Sequence, residues 1–148
     1  MAQTRKFKFF GETKIPYFIN RLLFPNERIA VALKAFRDVA VITDKRFLII
    51  NQQYLSGKSV EYVTFLYKNI INYSISTPGI LVDFDVDVVA NFINGDVVHM
   101  EFSKGNNIEQ YIFLIYDLIS AALDNHPFHA GVFNPNLSIQ ENNEQFFE

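Results

Sequence analysis

The stretch that most constrains the fold is Arg37–Asn51, RDVAVITDKRFLIIN. Val39–Ile42 and Phe47–Ile50 are apolar without alternation and flank a polar corner of Thr43, Asp44, Lys45 and Arg46. A strand with one wet face alternates, so two strands that do not alternate predict a hairpin covered by protein on both sides. One sheet on one helix supplies a single cover. The second must come from the N-terminal segment or from another subunit. Thr and Asp suit the corner because their side chains bond nearby backbone N–H groups. The charges of Asp44, Lys45 and Arg46 therefore read as turn and rim chemistry rather than a ligand site.

The pattern stays β on either side of this hairpin. Arg28–Phe36 alternates loosely, and Val60–Leu66 and Ile70–Thr77 are rich in β-branched and aromatic residues, separated by Tyr67, Lys68 and Asn69. Pro25-Asn26 and Pro78-Gly79 mark turns. Ile80–Ile93 alternates cleanly, with Ile80, Val82, Phe84, Val86, Val88, Ala90 and Phe92 inward and Asp83, Asp85 and Asp87 outward. Val97–Ser103 follows with Val98, Met100 and Phe102 inward and His99 and Glu101 on the wet side. A two-residue Asn94-Gly95 loop would oppose inward to outward residues, because one residue of slip flips a strand. A three-residue loop, Ile93-Asn94-Gly95 with Gly95 left-handed, pairs Ala90 with Val98 and Val88 with Met100.

Beyond Gly105, Asn106 followed by Glu109 gives a capping-box-like start to a helix running to about Leu123. Ile108, Tyr111, Ile112, Leu114, Ile115, Leu118, Ile119, Ala122 and Leu123 fill a broad apolar arc, and Glu109, Gln110, Asp117, Ser120 and Asp124 occupy the rest. Phe113 falls inside the polar stripe with Tyr116 at its edge, which predicts a cover from outside the domain core or from Phe128 and Phe133 of the tail. Ahead of the sheet, TRKFKFF is a basic, Phe-interleaved arm, and IPYFINRLLF suits a short helix opened by Pro16. The organisation expected is an N-terminal arm and packing segment over 1–24, one domain over 25–124 and a tail over 125–148.

Composition narrows the class. At 148 residues, 49% hydrophobic and 20% charged, with 16 Phe and 7 Tyr, the chain is a folded single domain. With no cysteine, disulfides and thiolate metal sites are excluded. The N-terminus lacks a signal-peptide h-region and no run approaches about 18 apolar residues, so a cytoplasmic location is the expectation. Residues 1–14 carry Arg5, Lys6, Lys8 and Lys14 against Glu12, whereas 124–148 carry Asp124, Glu141, Glu144 and Glu148 without a cation. Nucleic-acid binding needs a concentrated basic face, which is absent.

The segments RDVAVITDKRFLII, GKSVEY at 57–62, Tyr67, SISTPG at 74–79 and EFSKG at 101–105 together resemble the bacterial pleckstrin-homology-like (PH-like) domain family over roughly Leu22–Leu123. The resemblance implies a mainly β (α+β) fold: a bent antiparallel sheet or partly open barrel of about seven strands, capped by a C-terminal α-helix. It also implies a non-enzymatic protein that forms ring-like homo-oligomers. The basic arm and the tail lie outside it.

Residue patterns that carry chemistry are few. Phosphoinositide-binding relatives use a basic first hairpin loop, but here Lys34, Ala35, Phe36, Arg37 and Asp38 offer two cations and an acid, which reads as a solvated turn. Asp83, Asp85 and Asp87 stand roughly 7 Å apart along one strand, too spread for one ion, and suit a solvated face or an ionic contact between subunits. Asp124, His126 and His129 lack zinc geometry, and His99 reads as exposed. No nucleophile elbow or phosphate loop is present, so neither catalysis nor a cofactor is expected. The reading is a self-assembling, protein-binding scaffold with Phe113, Tyr116, Asp83, Asp85 and Asp87 as interface candidates. The alternative is weak attachment to anionic membrane, with Arg5, Lys6 and Lys8 on lipid headgroups and Phe7, Phe9 and Phe10 inserted.

Overall fold

The two apolar runs are strands β4 (Asp38–Thr43) and β5 (Arg46–Asn51), paired antiparallel with Val39 opposite Ile50 and Val41 opposite Leu48. The computed structural model describes residues 2–51, 59–77, 86–103 and 109–126. Among them, β1 (Thr4–Phe9), β2 (Gly11–Glu12) and β3 (Ile29–Lys34) precede the hairpin. Strands β6 (Glu61–Leu66), β7 (Ile70–Ser76), β8 (Val86–Phe92) and β9 (Val97–Phe102) follow it, and helix α1 (Glu109–Asp124) comes last. One sheet runs β2-β3-β4-β5-β6 and the other β1-β9-β8-β7. The described residues thus hold nine strands where about seven were expected, the additional pair coming from the N-terminal arm. Sheets with a C-terminal helix are the PH-like fold the resemblance implied.

Both faces of the hairpin are covered, and the chain covers them itself. Ala40, Ile42, Phe47 and Ile49 point into the main core between the two sheets and α1. Val39, Val41, Leu48 and Ile50 point the other way, into a second cluster built with Ile15, Ile19, Ile29 and Ala32 and edged by Phe18 and Leu23. The IPYFINRLLF segment is the lid of this second core. Pro16 stands at the N-cap of a 3-10 helix, Tyr17–Arg21, of which Ile19 is the buried residue. Pro16 fixes the entry φ without wasting an N–H that would lack a partner there.

The N-terminal arm is a strand rather than a free extension. β1 lies parallel to β9, with Phe7 opposite Met100 and Phe9 opposite Phe102. Its alternation points Phe7 and Phe9 into the main core and leaves Thr4, Lys6 and Lys8 outside. The chain then crosses at Phe10 to the other sheet, where the Phe10 N–H donates to the Lys34 carbonyl at 3.0 Å and Gly11 pairs with Lys34.

The β8–β9 register is the one that parity demanded: Val88 faces Met100 and Ala90 faces Val98. Gly95 has φ +91° and its N–H donates to the Phe92 carbonyl at 2.9 Å, closing the three-residue loop. The Asp83 and Asp85 part of the predicted long strand lies outside the described residues, as do the Asn106 cap, Phe128, His129 and Phe133. Asp87 is described, and with it His99, which sequence alone placed in solvent. The His99 ring is half-buried and its Nε2 lies 2.8 Å from Asp87 Oδ2, because the antiparallel register sets the two diagonally on one face. On the helix, Leu118, Ile119 and Ala121 are buried, while Ala122 and Leu123, expected in the apolar arc, are exposed.

Candidate functional site

Two surfaces stand out: a cleft at the Thr43–Arg46 corner and a stripe on α1. The cleft begins with an ion pair beneath it. Arg46 is not a rim residue but 4% exposed, and Glu27 is 5% exposed. The guanidinium donates through Nε to Glu27 Oε2 at 2.9 Å and through Nη2 to Oε1 at 3.0 Å, a bidentate pair. Nη1 donates to Thr64 Oγ1 at 2.8 Å, Nη2 also reaches the Leu22 carbonyl, and the Phe24 ring lies 4.1 Å from Cζ. Glu27 in turn accepts from the Phe24 N–H and the Thr43 hydroxyl. Every charge-bearing atom of the pair is satisfied, which is the condition for burying it.

Thr43 then shapes the corner. Its Oγ1 accepts from the Lys45 and Arg46 N–H groups, each at 3.0 Å, so the expected Thr-type turn is present. Asp44 reaches across strands instead, its Oδ1 accepting from the Arg28 N–H at 3.0 Å. Burial pushes the Asp44 carboxyl above the usual range, opposed by that bond and by Lys45. Behind the corner, Tyr67 is fully buried and donates its hydroxyl to the Thr43 carbonyl at 2.7 Å. Burial, then the Asp44 and Glu27 charges, push the Tyr67 phenol well above its ordinary value.

The last turn of α1 faces this corner across a cleft of about 560 Å³. Phe24, Leu66, Leu118, Ala121 and Ala122 make its apolar lining, and Asp44, Lys45, Lys68, Asn125 and His126 its polar rim. Asn125 adopts φ 55° and the His126 N–H donates to the Ala121 carbonyl at 3.1 Å, so the helix end is capped in a left-handed turn. His126 lies 3.8 Å from Asp124. The described residues contain no grouping of carboxylates, imidazoles or thiols suited to a metal ion.

On α1, Phe113 is 48% exposed, Tyr116 38% and Leu123 42%. At 100° per residue the three fall within about 80° of one another, with Ser120 between Tyr116 and Phe113 and Leu123 bordering the buried face beside Ile112. Tyr116 packs against Tyr73 of β7 with ring centroids 5.0 Å apart, and the Tyr73 and Ser120 hydroxyls lie 2.6 Å apart. The outward side of the helix therefore exposes three large apolar side chains interspersed with polar ones, beside an anchored aromatic pair.

The remaining candidates are dispersed. Asp87 meets His99 through Oδ2, and its Oδ1 has no hydrogen-bond partner among the described residues. Arg5 leans on Glu61 at 3.5 Å and on the Phe65 ring, and Lys6 pairs with Glu101 at 2.9 Å. With Phe7 and Phe9 in the core, Phe10, 50% exposed, is the one arm aromatic that meets solvent. The Lys34–Asp38 loop is a tight turn, its Ala35 N–H donating to the Asp38 carbonyl at 2.8 Å, with Phe36 78% exposed and Arg37 stacked on it. No described helix is long and apolar enough to cross a membrane.

Two sheets closed over one core and capped by a C-terminal helix define a domain of the pleckstrin-homology class. The family model for the bacterial PH domain matches residues 3–122, and the chain belongs to that family. The match begins one residue ahead of β1, so the arm that motif resemblance left out is included. An uncharacterised protein of Bacillus subtilis, YjqA, is 36% identical over 66 residues, covering 45% of this chain and 50% of that one. The match thus spans about half the length of that relative. A crystal structure of a protein with a pleckstrin-homology domain from Shewanella loihica superposes with TM-score 0.61 at 24% identity, covering 77% of this chain and 98% of the other. A pleckstrin homology domain from Shewanella amazonensis gives TM-score 0.49 at 28% identity over 66% of this chain and 78% of the other.

Proposed function

We propose that the chain is a non-catalytic PH domain that assembles with copies of itself, in the ring-like manner its family resemblance implies, and offers the assembly to a protein partner. The outward stripe of Phe113, Tyr116 and Leu123 carries this reading. Three large apolar side chains on one arc of an otherwise satisfied helix form the sort of patch that subunit interfaces bury. The hairpin no longer contributes, since its second face is covered by the chain's own Ile15 and Ile19. Light scattering tests it: a mass that is a multiple of 17.1 kDa at micromolar concentration supports assembly, and Phe113→Asp should reduce that mass without loss of β-sheet signal. A monomer throughout this range sinks the proposal.

Membrane attachment is a second reading, moved from the arm to its end. Phe10 and Phe36 are exposed on neighbouring bends, with Lys34 and Arg37 beside them. Co-sedimentation with phosphatidylserine vesicles, comparing wild type with Phe10→Ser/Phe36→Ser, tests it; equal pelleting of the two rules out these bends as the anchor.

A further inference from the structure

We propose that the cleft between the β4–β5 corner and the last turn of α1 binds a small amphipathic anion, an alkyl chain carrying a carboxylate or phosphate head. The cleft has two chemically distinct parts. Its lining of Leu66, Leu118 and Ala121 is apolar, and Leu118 and Ala121 are themselves buried, so the bottom is a fixed part of the core. Its rim holds Lys45 and Lys68, neither of which makes an ion pair with a carboxylate among the described residues. The volume falls within the range of small-molecule sites, and such sites combine an apolar lining with a few placed polar groups.

The charge count selects the sign of the ligand. Among the lining residues two lysines face one carboxylate, Asp44, whose Oδ1 is already engaged by the Arg28 N–H. Lysine heads on flexible stems reach a bound headgroup as point charges, while their methylenes extend the apolar wall. A purely ionic ligand leaves the lining unused, and a purely apolar one leaves two hydrated ammonium groups at the mouth with nothing to engage.

Titration of the full chain by ¹H–¹⁵N NMR with decanoate and decyl phosphate tests this, with 1-decanol and inorganic phosphate as single-feature controls. Saturable shifts at the amides of Lys45, Leu66, Lys68, Leu118 and Ala121 with either amphiphile are expected, and each control should bind about tenfold more weakly or less. Lys45→Glu/Lys68→Glu should weaken the amphiphiles about tenfold or more, and Asp44→Asn, which retains an acceptor for Arg28, should strengthen them. Phe113→Asp should leave binding unchanged, which separates this site from the assembly surface. Equal binding of decanol and decanoate to the wild type, shifts centred elsewhere, or no saturable shift would overturn the proposal. The decanol comparison stands even if the double variant does not fold.

Discussion

Arg46 and Glu27, nineteen residues apart, face each other inside the protein as a bidentate ion pair, with both side chains almost completely removed from solvent. The pair ties the lid segment to the hairpin, because Glu27 also takes the Phe24 N–H and Arg46 the Leu22 carbonyl. Losing one member strands the other. Arg46→Ala should therefore destabilise the domain by about 3–5 kcal/mol in urea unfolding, whereas Arg46→Met with Glu27→Leu should recover part of that loss. Destabilisation by the double variant equal to the sum of the Arg46→Met and Glu27→Leu effects would show the two residues to be independent.

Gly95 holds a conformation that side chains avoid. At φ +91°, and with the position of an added Cβ only 3.0 Å from the Ala2 Cβ, Gly95→Ala should cost about 1–3 kcal/mol by thermal or urea unfolding. Gly11, where an added Cβ meets nothing, is the control: Gly11→Ala should cost much less.

Asp96 pins the start of β1. Its Oδ1 accepts from the Gln3 N–H at 2.8 Å and its Oδ2 from the Asn94 amide at 2.9 Å, and these bonds hold its carboxyl below the usual range. A folded-state value below the unfolded one means that the contribution is present above the ordinary carboxylate value, about 3.9, and fades as pH falls through the lower folded one. The Gln3 amide should thus exchange faster and shift in NMR spectra only in strong acid. In Asp96→Asn that acid-dependent step should vanish.

Phe9 makes β1 part of the core. Fully buried, with its ring 5.5 Å from Phe102 and 5.8 Å from Phe7, it should cost about 3–5 kcal/mol on change to Ala. Removal of residues 1–9 should unfold the domain rather than merely trim it, as read by loss of cooperative melting. A truncated chain that melts like the full one would mean that β1 is dispensable.

Signals that act over short range were legible in the residues. The β8–β9 register followed from the parity of Val88, Ala90, Val98 and Met100, and the two-sided hairpin from its failure to alternate, since both reflect local burial. The place of β1 was not, because parallel pairing with β9 leaves no turn or spacing to read; the alternation of Phe7 and Phe9 with Lys6 and Lys8 was a strand pattern, but one equally suited to an amphipathic arm. Arg46 looked like any turn charge, as its partner Glu27 lies two strands back, ahead of β3 and β4. Part of the α1 stripe was visible, since helical projection sets Phe113 among polar residues. The cleft had no signal at all: Lys45, Lys68 and Ala121 meet only through tertiary packing.

The parallel alignment of Thr4 with Val97 also fixes a timetable. On the ribosome the first strand emerges with its partner still unmade, and at about 5–20 residues per second the interval is on the order of 5–20 s. Through that interval Phe7 and Phe9 have no sheet to join, and any product broken off before β9 carries them bare. The β1 strand can be seated only after β9 has emerged, so a segment made early waits on a distant one before its apolar side chains are hidden.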